Sequence, residues 1–365
     1  MFLKKISLTN FRNYDSLEFE FKKNKTLFIG KNAQGKTNLL EAVYYLSGLD
    51  SNRIRKDIEL VKFGCDFASI KATVSRLDVD IELDVLINPP KNKLLKVNGI
   101  KKNKHKDFLR VLSVVNFSAS DLMLLRGEPS DRRKWLDMAI CQIYPGYEER
   151  LSKYNKIRLQ KANYLNNFDI SPDMLDVFNS QLAIASSNIV YLRMKFLDEI
   201  KKIAAEKHKN ISKEELLNLK YESDTVKEFV SLSDMTEIFI KALNENKQKE
   251  IMRHSCLIGP HRDDICFEIN NLDARRYASQ GQQRTLVLAL KLSELDIISD
   301  KTGENPVLLL DDVLAELDDI RQNYLLNSVK NGIQTIITSV DTLFFDERFL
   351  ADVDIVSIKE GKIVN

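Results

Sequence analysis

Apolar and polar positions alternate along the first part of the chain. Leu3, Ile6, Leu8 and Phe11 are followed by Leu17, Phe19 and Phe21. This pattern predicts two strands joined through NFRNYDS. Leu27, Phe28 and Ile29 then form a continuous apolar run, as expected of a strand buried on both faces. Beyond Gly30 the period changes, and Leu39, Leu40, Val43 and Leu46 recur at helical spacing while Asn38 and Glu41 point elsewhere. Alternation returns between Ser69 and Leu86, and Val111–Phe117 reads as another strand. Asn98-Gly99 between Val97 and Ile100 predicts a hairpin.

From residue 117 the helical period dominates. A helix is expected from about Tyr147 to Phe168, and Ile170-Ser171-Pro172 separates it from a second. In the second, Leu182, Ala185, Ile189, Leu192 and Phe196 alternate steps of three and four before the seam meets Glu199. That predicts a short antiparallel helix pair rather than an extended coiled coil. Glu214 to Ile251 reads as further helix. Ser130 or Asp131 is the expected cap of a helix carrying Trp135, Leu136 and Ile140. Arg132, Arg133 and Lys134 oppose the dipole in its first turn, which calls for an acidic neighbour, a partner anion or a tolerant surface.

After Arg253 the pattern is again mixed. Ile265, Phe267 and Ile269 alternate, and Ala278-Ser279-Gln280-Gly281-Gln282-Gln283-Arg284 leads into a helix with Leu286, Leu290 and Leu292. Val307–Leu310 is apolar and ends in Asp311-Asp312; Ile333–Ile337 and a closing hairpin at 355–364 follow. The expected fold is α/β, with an antiparallel β subdomain. Residues 1–116 and 253–365 form two parts of one nucleotide domain, and 117–252 a largely helical insertion.

With 44% hydrophobic and 30% charged residues among 365, the composition is that of a soluble globular protein. There is no apolar run of about 18 residues, and MFLKKISLTNF lacks a secretory pattern. Cys65, Cys141, Cys256 and Cys266 are scattered without metal spacing. A cytoplasmic protein with no membrane partner is therefore expected. A net charge of +2 selects no partner. Seven lysines lie between Lys91 and Lys106, where they either contact a phosphate backbone or protect a hairpin edge.

The candidate chemistry begins at Gly30. Gly30, Lys31, Asn32, Ala33, Gln34, Gly35, Lys36 and Thr37 match G-x-x-x-x-G-K-[ST], with an apolar strand before and a helix after. The glycines let successive N–H groups face one anion, Lys36 supplies charge to the β- and γ-phosphates, and Thr37 is placed for Mg²⁺. A nucleotide and Mg²⁺ are thus the expected ligands, with Asn38 beside the loop. Arg12 is either a further phosphate contact or an exposed loop residue. Asp311 at a strand end completes the metal site opposite Thr37, and Asp312 is placed to polarise water. The turn Ser279, Gln280, Gly281, Gln282, Gln283 is either a helix cap or an anion site acting on a second copy's nucleotide.

These stretches carry a resemblance. NFRNY, GKNAQGKTNLLEA, FSASDLMLLRGEPSDRRKWLD, GPHRDD, YASQGQQRT and LLLDDVLAELD span residues 10 to 318. They resemble the ABC-type ATPases related to the SMC proteins, and within them the RecF family. The resemblance implies that Gly30–Thr37 is Walker A, Asp311 the Walker B aspartate, Ser279–Gln283 the signature in trans and Asp318 the D-loop residue. Asp312 stands where most ABC ATPases have glutamate, and no histidine follows the strand at Ser339-Val340. The resemblance further implies a weak ATPase acting as a switch, an ATP-dependent homodimer and binding to single-stranded, gapped and double-stranded DNA. RecO and RecR are the implied partners in recombinase loading, with a contribution to SOS induction. A transporter-energising subunit is the alternative, disfavoured by the helical insertion and the missing histidine.

Overall fold

A computed structural model describes residues 1–364 except 52, 55, 92, 168, 330, 331 and 344. The chain divides into two units, Met1–Asp121 with Val287–Asn365, and Leu122–Leu286.

The first unit contains two six-stranded sheets. One is a fully antiparallel sheet in the order Tyr14–Glu20, Phe2–Phe11, Ala68–Arg76, Val79–Ile87, Leu94–Val97, Ile100–Lys102. The Asn98-Gly99 hairpin forms as predicted, both residues taking left-handed backbone, and its second strand is the sheet edge. The other sheet runs Lys362–Val364, Val353–Lys359, Lys25–Ile29, Thr335–Ser339, Val307–Asp311, Val114–Ser118. Its four internal pairings are parallel and only the closing hairpin is antiparallel. Leu27, Phe28, Leu308–Leu310, Ile336 and Ile337 are buried, which explains the unbroken apolar runs of these strands. Helix Lys36–Gly48 buries Leu39, Leu40, Val43 and Leu46 in a core shared with Leu3, Ile6 and Leu8 of the antiparallel sheet. Register aligns the carboxyl ends of the parallel strands: Ser339 lies opposite Ile29, and Asp311 opposite both Thr338 and Ser118. Open parallel sheets bind ligands at that end.

The second unit combines helices Pro129–Ile143, Tyr147–Tyr164, Pro172–Ser212, Leu232–Glu245 and Lys247–Arg253 with a three-stranded antiparallel sheet. The 41-residue helix is about 60 Å long at 1.5 Å per residue. Its predicted seam is buried at Leu182, Ala185, Ile189 and Phe196. Hydrogen bonds Arg150–Asn188 and Lys161–Asn179 make it antiparallel to helix Tyr147–Tyr164, as expected. That helix stops short of Phe168, which lies outside the described residues.

Three expectations are corrected. Leu217–Glu222 is a strand rather than helix; Leu217 and Leu219 alternate inward, and the strand pairs with Asp264–Ile269. Helix Pro129–Ile143 is capped two to three residues early by Glu128, whose N–H donates to Asp131 at 2.8 Å. The inserted unit runs to Leu286 rather than 252, because the Asp264–Ile269 strand pairs inside it. The signature turn accordingly belongs to that unit. Among the described residues no helix is long and apolar enough to cross a membrane.

Candidate nucleotide site

The phosphate loop is shaped by close approach. Gly35 has φ of 114°, and a Cβ there would lie 2.8 Å from Asn13 and 2.9 Å from the Tyr14 hydroxyl. Only glycine fits that space and that backbone. A Cβ on Gly30 would collide with the Ile358 carbonyl of the neighbouring strand. Tyr14 donates to the Gly35 carbonyl at 2.9 Å, and Asn13 donates to the Gln34 carbonyl at 3.3 Å. The Gln34 side chain accepts from the Glu360 N–H at 2.7 Å, fixing the loop to the closing hairpin. Lys31, Asn32 and Ala33 form the exposed tip, with Ala33 in left-handed backbone.

Lys36 is buried, and its ammonium donates to the carbonyls of Gly30 at 2.7 Å and Lys31 at 3.2 Å. The loop thus curls around the charge that its motif assigns to phosphate. Thr37 donates to Asp311 Oδ1 at 3.0 Å, and Thr338 donates to the same oxygen at 2.8 Å. The Thr338 hydroxyl in turn accepts from the Asp312 N–H at 2.9 Å. Asp312 has left-handed backbone, φ 51°, at the strand end. Burial raises the Asp311 pKa above the ordinary carboxylate value, and Asp312 adds to the rise. Hydrogen bonds from Thr338 and Thr37 and the charge of Arg53 oppose it. A carboxyl held this way gains from a cation.

Thr37, Asp311 and Asp312 line an open cavity of about 300 Å³, together with Tyr44, Glu41 and residues 118–120. Its hard oxygen donors suit Mg²⁺, with Thr37 and Asp311 as the groups to hold it. The structure therefore brings Gly30–Thr37, Asp311 and Asp312 together. Arg12 is placed differently from either expectation. Its fork donates to both oxygens of buried Glu41, at 2.9 and 2.7 Å, and to the Glu59 carbonyl at 2.8 Å. Arg53 also donates to Glu41, at 2.9 Å, and to Asn38 at 3.0 Å. Asn38 donates to Asn13 at 2.8 Å. Sequence reasoning missed Thr338, Ser118, Asn13 and Tyr14. The first two needed the strand register; the last two were legible only as neighbours of Arg12.

The signature turn forms a reciprocal cap in the second unit. Gln282 N–H donates to Ser279 Oγ at 3.2 Å, and Ser279 N–H donates to Gln282 Oε1 at 2.8 Å. Gln282 also donates to Glu215 at 2.8 Å, and Gln283 accepts from Arg126 at 2.9 Å. Ser279 and Gln280 are exposed, with Gly281 half-buried, at the start of helix Gln280–Thr302. Asp318 caps helix Asp319–Ser328, accepting from the Arg321 N–H at 3.0 Å. Arg132 finds an acidic neighbour, donating to the Asp264 carboxylate at 2.6 and 2.9 Å, whereas Arg133 donates to the Asp263 backbone carbonyl at 2.7 Å.

Residues 2–362 match the model of the RecF/RecN/SMC N terminal domain. The chain is 38% identical over 368 residues to the DNA replication and repair protein RecF of Halalkalibacterium halodurans, covering 100% of this chain and 99% of that one. It is 42% identical over 339 residues to RecF of Clostridium perfringens, covering 93% and 92%. A solved structure of RecF-ATP, a recombination mediator protein of the RecFOR pathway, superposes with a TM-score of 0.92 at 35% identity, covering 99% of this chain and 96% of that one. An Smc head bound to part of ScpA shares the fold, with a TM-score of 0.56 at 16% identity, covering 100% and 97%. On motif order, site geometry and full-length similarity, the chain belongs to the RecF family of DNA replication and repair proteins.

Proposed function

We propose that the chain is an ATP-dependent DNA-binding switch of recombinational repair. The observation carrying this reading is the convergence of Thr37 and Asp311, at 3.0 Å, beside the glycine-bounded loop of Lys36. ATP binds with its phosphates on Gly30–Thr37, and Mg²⁺, which Thr37 and Asp311 would hold, would neutralise phosphate charge. Lys36 leaves the Gly30 and Lys31 carbonyls for phosphate oxygens. Asp312 orients and deprotonates the attacking water. Arg12 acts through Glu41, as a brace of the loop helix.

Two copies close head to tail, and the Ser279–Gln283 turn of each, exposed at Ser279 and Gln280, meets the γ-phosphate held by the other, with Asp318 at the same seam. Closure holds single-stranded, gapped or double-stranded DNA, and slow hydrolysis releases it. RecO and RecR are the partners through which it supports recombinase loading and SOS induction, in the cytoplasm. Sedimentation with ATP and Mg²⁺, with and without gapped DNA, tests the reading. A dimer that forms only with ATP and lasts longer on DNA is expected, and is prolonged by Asp312→Asn. A protein that stays monomeric with ATP and DNA together overturns it.

A further inference from the structure

The loop Gly259–Asp264 in the second unit is held from every side, yet its tip is a single exposed arginine. Buried Arg193 donates to the Pro260 carbonyl at 2.7 Å while forking onto Asp137 at 2.8 Å through two nitrogens. Tyr154 pairs with His261 Nδ1, and His261 Nε2 faces the Cys256 carbonyl at 3.2 Å. Tyr221 donates to Asp263 at 2.7 Å, and Arg133 to the Asp263 carbonyl at 2.7 Å. Gly259 has φ of 136° and leaves no room for a Cβ against Tyr154. Two long helices, a strand and helix Pro129–Ile143 thus fix one short loop. Arg262 is exposed, and its guanidinium takes no part in that framework.

The surroundings are cationic. Arg133, Arg158 and Arg262 all bear on His261, whose pKa falls to about 4, chiefly through burial, so the ring is neutral at pH 7. Arg158 Nε is buried without a hydrogen-bond partner among the described residues. The nearby carboxylates are engaged elsewhere, Asp137 by Arg193, Asp264 by Arg132 and Arg275, and Asp263 by Tyr221, with burial raising the Asp263 pKa and so disfavouring its charge. Three guanidiniums around a rigid loop leave positive charge unbalanced, and a guanidinium matches a phosphate with two parallel bonds. The turn closes its own backbone, with the Arg262 N–H on the Gly259 carbonyl and the Ile265 N–H on Asp264. With its own N–H spent on the turn, Arg262 has its side chain to offer an anion, the mode by which proteins commonly position a phosphodiester.

We propose that Arg262 is a pre-positioned contact to the DNA phosphate backbone, in a cationic patch shared with Arg133 and Arg158. The proposal rests on the DNA-binding reading above. Its test is fluorescence anisotropy of a labelled gapped duplex with the full chain, between 50 and 200 mM salt, comparing wild type, Arg262→Ala and Arg262→Lys. Losing one released counterion should weaken Arg262→Ala about tenfold near 0.1 M salt and make the log–log salt slope shallower by about one. Arg262→Lys should keep the slope. ATP affinity, ATP-dependent dimerisation without DNA, and the melting temperature should stay at wild-type values for both. An unchanged salt slope in Arg262→Ala overturns the assignment. So does loss of ATP-dependent dimerisation without DNA, which would put Arg262 on the partner's nucleotide. Wild-type protein without DNA affinity would overturn the functional reading first, and this one with it.

Discussion

Thr37 and Asp311 are separated by 274 residues in the chain and joined by a 3.0 Å hydrogen bond. The hydroxyl comes from the first turn of the loop helix, and the carboxylate from the end of a parallel strand. Each satisfies the other, and both are the groups proposed above to hold Mg²⁺. Asp311 is the more exposed to pH, because burial raises its pKa.

The sign of that effect is testable. Under the proposed function the ionised carboxylate is the form that would hold Mg²⁺, so binding should fall as pH drops through the raised pKa. The proton therefore competes with metal at a higher pH than it would at an ordinary aspartate. Mg²⁺-supported ATP binding should weaken on acidification, and Asp311→Asn should bind about tenfold less tightly or worse while losing the Asp311 step. Titration of nucleotide affinity against pH in both proteins checks this. An identical pH profile in the variant removes Asp311 from the metal site.

Glu41 should matter more to stability than either arginine it holds. Its side chain is 3% exposed, against 19% for Arg12 and 45% for Arg53. Glu41→Ala strips Arg12 and Arg53 of their shared buried carboxylate and should cost about 3 kcal/mol. Arg12→Ala leaves Glu41 with Arg53 and Ser51 and should cost about 1–2 kcal/mol. Arg53→Ala should cost under about 1 kcal/mol. Urea denaturation should reproduce that order; Arg53→Ala ranking first would contradict it.

The buried pair in the second unit offers a double-mutant test. Lys161 and Glu250 are each 1% exposed, with Lys161 also on Asn179 and Glu250 also accepting from the Leu257 N–H at 2.7 Å. Lys161→Met strands a carboxylate and should destabilise by about 3–5 kcal/mol. Lys161→Met with Glu250→Leu should recover much of that loss, because no unpaired charge remains. Strict additivity of the two single losses would show that the pair is not coupled.

Complementation tests the trans action of the signature turn. Lys36→Met removes the phosphate-binding charge, while Ser279→Arg leaves the phosphate loop intact and places bulk on the exposed cap. Neither variant alone has a sound composite site. Mixed dimers have one, so random pairing restores about a quarter of wild-type ATPase activity, by the counting of two-fold closure. Ser279→Arg that dimerises with ATP as wild type does would reduce the turn to a helix cap.

The sequence alone determined the local chemistry: the strand–loop–helix around Lys36, the strand end at Asp311-Asp312, and the heptad seam from Leu182 to Phe196. Each is written in periodicity or in a short motif, because its physics acts within a few residues. Tertiary structure decided which distant groups meet. Thr338 and Ser118 became neighbours of Asp311 through parallel register, which no local pattern encodes. Arg12 turned to Glu41 because a guanidinium fork seeks the buried carboxylate of the loop helix. Leu217–Glu222 became a strand because the edge of Asp264–Ile269 was there to pair with it. The same pairing carried the inserted unit to Leu286. Hydrogen-bond partners across a sheet are chosen by chain topology, and topology is a property of the folded whole.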